Sequence, residues 1–143
     1  MFYADSSFLA SLYLPDAKTG VANSYLGREQ TPLIFTPFNR VELRNALRNM
    51  VARGEAKSGQ VARAFSLMEN DLNEGLLVER ILDQAKLLNM AERLSARHAE
   101  RHAIRCVDLL HVAGAHVLSL KTFLTFDPQQ ATFAQATGLM IKP

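Results

Sequence analysis

Met1-Phe2-Tyr3-Ala4-Asp5 opens the chain with four apolar residues that run straight into a carboxylate. A run this short and this apolar reads as a buried strand, and it delivers Asp5 at its carboxyl end. Outward from it, Ser7 to Tyr13 reads as a helix that breaks before Pro15, and Asp16 reads as the N-cap of a second helix running to about Gly27. Leu33 to Thr36, held between Pro32 and Pro37, is a second strand. Phe38 to Arg53 carries Val41, Leu43, Ala46, Leu47, Met50 and Val51 at a helical period and stops at Gly54. Ser58 to Asn73 is a further amphipathic helix, and Leu76 to Ile81 a third strand. Leu82 to His102 reads as a long helix, Val107 to Leu118 as a buried one, and Thr122 to Phe126 as a strand. A helix over Gln129 to Thr137 and a strand over Leu139 to Ile141 close the chain. Strands that alternate with helices predict an α/β fold, a central mainly parallel sheet flanked by helices, as one domain over residues 1–143.

The bulk properties narrow the class. A chain of 143 residues with 48% hydrophobic and 21% charged residues can bury a sizeable core. The single cysteine, Cys106, rules out an internal disulfide framework and suits a reducing cytoplasm; it reads as a small buried residue. Asp5 interrupts the only apolar stretch at the start, and no basic lead precedes it, so those residues do not read as a signal peptide. Cys106 to Leu120 is the most apolar segment, but Asp108, His111 and His116 interrupt it and it is too short to span a bilayer. The expectation is a soluble cytoplasmic protein with no membrane partner. A net charge of +2 does not by itself argue for nucleic acid.

Four carboxylates sit where a core-and-surface pattern would not put them: Asp5, Glu42 between Val41 and Leu43, Asp108 inside Val107-Asp108-Leu109-Leu110, and Asp127 after Thr122 to Phe126. Carboxylates at the edge of buried structure cost free energy unless something compensates them. In open α/β sheets, sites form at the carboxyl ends of strands, where Asp5 and Asp127 stand. Glu42 and Asp108 fall in the first turn or so of a helix, whose positive end favours an anion. Grouped carboxylates repel one another, and Mg²⁺ or Mn²⁺ removes that repulsion. Such an ion acidifies bound water and stabilises charge on a phosphoryl oxygen, which makes phosphodiester hydrolysis the natural reaction. Each carboxylate also has an ordinary reading. Asp108 could cap the helix after Arg105, Asp127 could start the helix at Pro128, and Glu42 could pair with an arginine. Asp5 has no evident short-range structural role.

The ordered set Tyr3-Ala4-Asp5-Ser6-Ser7, Asn39-Arg40-Val41-Glu42-Leu43, Val107-Asp108-Leu109-Leu110-His111-Val112-Ala113 and Leu124-Thr125-Phe126-Asp127, with Gln130 shortly after, resembles the PIN-domain nucleases of the VapC toxin type over the whole chain. The resemblance implies a Mg²⁺-dependent ribonuclease with an acidic pocket at the strand ends. In it Asp5, Glu42, Asp108 and Asp127 match the family's acidic positions, and Thr125 matches a small hydroxyl residue beside the last carboxylate. Some members carry a further acid near the third position, where this chain has Leu110 and His111. The resemblance also implies a homodimer, and a small antitoxin protein that covers the pocket.

Arg40, Arg44 and Arg48 recur every four residues, as do Arg97, Arg101 and Arg105; on a helix each set would form one basic ridge. Such ridges either contact RNA phosphates or are solvated faces, and Arg105, nearest Asp108, is the candidate for substrate contact. His98, His102, His111 and His116 lack zinc-site spacing; His111, one turn after Asp108, either orients that carboxylate or a water, or is a hydrogen-bonded helix-face histidine. No phosphate-loop or dinucleotide-binding glycine pattern is present. The leading expectation is a metal-dependent endoribonuclease, the toxin of a toxin–antitoxin pair, with Asp5, Asp108 and Asp127 holding the ion and Glu42 ligating it or positioning water. A receiver-like phosphorylated domain is disfavoured because Lys121 precedes a strand instead of following one. A non-catalytic RNA- or protein-binding module of the same fold is the alternative.

Overall fold

The computed structural model describes residues 1–143. Its centre is three short, wholly apolar or nearly apolar strands: β1 (Phe2–Ala4), β2 (Leu33–Phe35) and β4 (Thr122–Leu124). β3 (Leu77–Glu79) and β5 (Met140–Lys142) close the two edges in the order β3-β2-β1-β4-β5. Every pairing is parallel, so the sheet is entirely rather than mainly parallel. Around it run α1 (Ser6–Tyr13), α2 (Thr19–Glu29), α3 (Pro37–Ala52), α4 (Ser58–Glu74), α5 (Gln84–His98), α6 (Cys106–Val117) and α7 (Pro128–Ala136).

The period-2 alternation of a strand sorts the core into two layers. Ala4, Leu33, Phe35 and Leu124 point to one face and pack with Phe8, Leu9, Leu43, Leu47, Ala64 and Met68 of the helices α1, α3 and α4. Tyr3, Ile34 and Phe123 point to the other and pack with Ala91 and Leu94 of α5, Val112 and Ala113 of α6, and Phe133 of α7. The chain winds from β1 to β2 to β3, then returns to place β4 on the other side of β1. That reversal opens a crevice at the carboxyl ends of β1 and β4, the place where an open parallel sheet presents a site.

Several element ends differ from the sequence expectation, each through a side chain. Thr36 leaves β2 and caps α3, its hydroxyl accepting from Asn39 N at 3.1 Å. Asp16 does not cap α2; its carboxylate accepts from Lys18 N and Thr19 N in the preceding turn, and the helix runs from Thr19 to Glu29. Asp83 caps α5, which ends at His98 rather than His102. β3 shrinks to Leu77–Glu79, leaving Leu76 and Ile81 exposed. Cys106 is exposed, not buried, because it is the first residue of α6 and faces outward. Arg97, Arg101 and Arg105 do not form one helical ridge, since only Arg97 lies on α5. Arg40 and Arg44 do share a helix face, but Glu69 of α4 engages both and Glu79 of β3 engages Arg40. No helix is long and apolar enough to cross a membrane.

Candidate active site

β1 ends on Asp5 at the floor of the crevice, 4% exposed. Asp5 has the structural role its sequence context concealed: its Oδ1 accepts from Phe8 N at 2.9 Å and caps α1. Two hydroxyls complete its shell. Thr125, just past β4, donates to Oδ2 at 2.8 Å, and Ser7 donates to the same carboxylate at 2.8 Å. Each hydroxyl is itself aimed by a backbone N–H, Thr125 by Asp127 and Ser7 by Phe126. Burial pushes the Asp5 carboxyl up to about 6, against these hydrogen bonds, which lower it. The site is therefore built to hold a carboxylate but disfavours its bare negative charge.

Asp127 caps α7, accepting from Gln129 N and Gln130 N at 2.8 and 3.0 Å through Oδ1, which leaves Oδ2 facing the crevice. Asp108 does not cap α6, where Arg105 is the N-cap; it stands in the first turn, nearly buried. Arg105 spans the two, its Nε 2.7 Å from Asp108 Oδ2 and an Nη 3.0 Å from Asp127 Oδ2. One cation already bridges these two carboxylates, and it comes from a side chain that is 69% exposed.

Glu42 enters from the second turn of α3 rather than the first. Ser6 and His111 both hydrogen-bond its Oε2 through very short contacts. Burial raises the Glu42 carboxyl, but the hydrogen bonds from His111 and the Ser6 hydroxyl outweigh it, so the group lies below the usual carboxylate range. His111 is 1% exposed. Its Nδ1 lies 3.1 Å from the Tyr3 hydroxyl and 3.4 Å from Asn39 Nδ2, two donors that assign the ring proton to Nε2, facing Glu42. Asn39 also donates to Ala4 O at 3.0 Å, tying the start of α3 to β1. Gly114 lets α6 lie this close: a Cβ there would stand 3.0 Å from the Tyr3 hydroxyl.

Asp5, Glu42, Asp108, Asp127, Thr125 and Arg105 thus fall into three hydrogen-bonded groups: Asp5 with Thr125 and Ser7, Asp108 with Asp127 through Arg105, and Glu42 with Ser6 and His111. Tyr3, Ser6, Ser7, Asn39 and Gln130, which orient these groups, had no assigned role in the sequence reading. Gln130 is buried, and its carboxamide donates to Asp108 O at 3.2 Å. No three Asp, Glu, His or Cys side chains converge closely enough to hold one ion as they stand. The donor chemistry still fits a hard divalent ion. All candidate ligands are carboxylate oxygens, Asp5 resists ionisation, and Asp108 and Asp127 already share one cation. Mg²⁺ needs only one or two protein carboxylates, with waters and substrate oxygens filling its shell. The largest cavity, about 520 Å³, lies at the opposite end of the sheet near Leu33 and Leu77. Its only charged lining group, Asp71, is engaged by the Tyr13 hydroxyl, so it does not compete as the chemical site.

The five-stranded, all-parallel sheet flanked by seven helices is a PIN-like fold. Among solved structures the chain is similar to the sarcin–ricin-loop-cleaving toxin VapC20 of Mycobacterium tuberculosis, at 19% identity and TM-score 0.71 over 100% of both chains. It is also similar to FitAcB of Neisseria gonorrhoeae (16% identity, TM-score 0.66, over 100% of this chain and 97% of the other). A third likeness is to PAE2754 of Pyrobaculum aerophilum (15% identity, TM-score 0.58, over 98% and 87%). No protein-family model and no curated protein sequence matches the chain.

Proposed function

We infer that this protein is a Mg²⁺-dependent endoribonuclease acting as the toxin of a toxin–antitoxin pair. The observation that carries the reading is positional: four carboxylates, following β1 and β4 and on α3 and α6, lie toward the end of the sheet where a parallel sheet presents its site, and two of them share a guanidinium. Its likeness in fold to VapC20, a sarcin–ricin-loop-cleaving toxin, supports the same conclusion.

Asp5, Asp108 and Asp127 would hold the ion, with Glu42 as a further ligand or as the group that orients the attacking water. Bound Mg²⁺ or Mn²⁺ would supply an acidified water and stabilise charge on the phosphoryl oxygens. Thr125 and Ser7 keep Asp5 aimed into the crevice. His111 keeps Glu42 ionised and fixed, so that it can accept a proton or a metal bond without reorganising. Arg105, released from Asp108 and Asp127, has the length and exposure to reach a substrate phosphate. An antitoxin segment would silence the protein by covering this crevice.

Purified protein should cut single-stranded RNA with Mg²⁺ and stop on exhaustive EDTA treatment; cleavage that persists in EDTA would sink the reading. Millimolar Mg²⁺ or Mn²⁺ should also raise the melting temperature, because the ion binds only the folded state. Arg105→Ala should enlarge that rise by removing the competing cation. An unaltered melting temperature in both proteins would count against the ion site.

We also place this protein as a homodimer. On α3 and α4, Met68 is fully buried in the protomer's own core. The large apolar side chains that these two helices leave exposed are Leu67, at 39%, and Val41, at 69%. Light scattering at high concentration should give twice the mass of the 15.9 kDa chain; the monomer mass would refute the assignment.

A further inference from the structure

The segment from Gln84 to Arg105 holds five cations, Lys86, Arg93, Arg97, Arg101 and Arg105, against two acids, Glu92 and Glu100. Its net +3 exceeds the +2 of the whole chain, so the other residues together are slightly acidic. Lys86, Arg93 and Arg97 fall at i, i+7 and i+11, one face of α5. All three and Arg101 are exposed, and none lies within ion-pair distance of a carboxylate. The α3 arginines differ: Glu69 and Glu79 neutralise Arg40 and Arg44.

The stripe also has a groove. Lys86, Asn89 and Arg93 of α5 face His116 and Val117 of α6 across a cleft of about 310 Å³, with no carboxylate in its lining. His116 Nε2 is 2.9 Å from the Thr137 hydroxyl, and burial together with the nearby His98 lowers the ring's proton affinity. The cleft is therefore lined by two permanent cations, the polar Asn89 and His116, and the apolar Met90 and Val117. The N-terminal half of α5 meets the C-terminal end of α6, so the two helices run antiparallel and α5 leads back toward the crevice. From Lys86 to Arg97 is about 16 Å of helix, enough to seat one phosphate per cation, and Arg101 and Arg105 continue the path to Asp108.

We propose that this face is a track for the backbone of single-stranded RNA, running from the α5–α6 cleft along Lys86, Arg93 and Arg97 to Arg105 at the site. It rests on the ribonuclease reading above and adds where the substrate strand lies. Phosphate contacts of this kind position a strand without reading its sequence.

The test is binding of a fluorescein-labelled oligouridylate of about twelve nucleotides, measured by anisotropy in EDTA so that nothing is cut. Replacing Lys86, Arg93 and Arg97 together by Ala should weaken binding about tenfold or more and lower the slope of log Kd against log salt by about two. Replacing the exposed Arg28, Lys57 and Arg63, which removes the same charge from helices on the other side of the sheet, should leave both nearly unchanged. With Mg²⁺ the track variant should show a raised KM and an unaltered kcat. Equal losses in the two triple variants, or equally effective competition by polyglutamate, would overturn the track while leaving the nuclease reading intact. A wild-type protein that neither binds nor cuts RNA would overturn both. Circular dichroism of each variant keeps a folding failure separate from a binding loss.

Discussion

Asp5→Asn is expected to lower RNA cleavage by roughly 10³-fold or more and, at the same time, to stabilise the metal-free protein. The two effects have one cause. Burial raises the Asp5 carboxyl from 3.8 to about 6, so the folded protein holds this proton more tightly than the unfolded chain does. A raised carboxyl contributes nothing unfavourable below the unfolded value. Its cost grows as pH rises from about 4 through about 6 and is complete above that, on the order of 3 kcal/mol. Asn carries no charge and keeps an oxygen for Phe8 N and for the Ser7 hydroxyl, while the Thr125 hydroxyl must turn to accept from the amide instead of donating. Allowing about 1 kcal/mol for that exchange, Asp5→Asn should gain roughly 2 kcal/mol at pH 7. Chemical denaturation in EDTA from pH 4 to 8 checks it: the wild type should lose stability across this window and the variant should not. Asp108→Asn and Asp127→Asn should abolish cleavage as fully, and double variants should be no worse, because residues that hold one ion act as a unit. Wild-type turnover by Asp5→Asn, or a destabilised variant with retained activity, would reduce Asp5 to the helix cap that it also is.

His111→Ala should give the largest loss of stability of any single substitution at the site. The imidazole is fully buried, its centroid lies 4.8 Å from that of the tilted Phe38 ring, and it joins Tyr3 and Asn39 to Glu42. Its removal leaves a cavity and strips the Tyr3 hydroxyl and the half-buried Glu42 carboxylate of a partner. A loss of about 3–4 kcal/mol is expected, read as a fall in melting temperature of roughly 10 °C. The Glu42 carboxyl, freed from the interaction that lowers it, should rise, a change visible in its carboxyl-carbon NMR titration. The sign at acid pH follows: a lowered carboxyl stabilises above its unfolded value and loses that contribution as pH falls through its folded one. The variant should therefore show a weaker acid-side loss than the wild type. His111→Gln, which keeps a donor toward Glu42, should recover part of both. A melting temperature unchanged by His111→Ala would mean that the Tyr3–His111–Glu42 chain does not hold the site together.

The α/β class, the sequence order of strands and helices, and the positions of Asp5, Asp108 and Asp127 were legible because they rest on short-range signals. Apolar triplets end abruptly on acids, and helical periods sit between Gly and Pro stops. Arg105 was singled out for its nearness to Asp108 in sequence, but as a substrate contact; its ion pairs with Asp108 and, 22 residues away, with Asp127 were not legible. Nor were the bond from Tyr3 to His111 across 108 residues, that from Thr125 to Asp5 across 120, or that from Ser6 to Glu42 across 36. Periodicity correctly put Arg40 and Arg44 on one helix face but could not reveal that α4 and β3 bring Glu69 and Glu79 against them. It likewise mistook Cys106 for core, because an apolar run says nothing about which side of a helix start faces water. The sequence by itself determined which residues alternate and therefore which layers can form. Only the tertiary structure decided which side chains share a proton, a charge or a hydroxyl, because those energies depend on distances through space, and the crossover that returns β4 beside β1 is what makes those distances short.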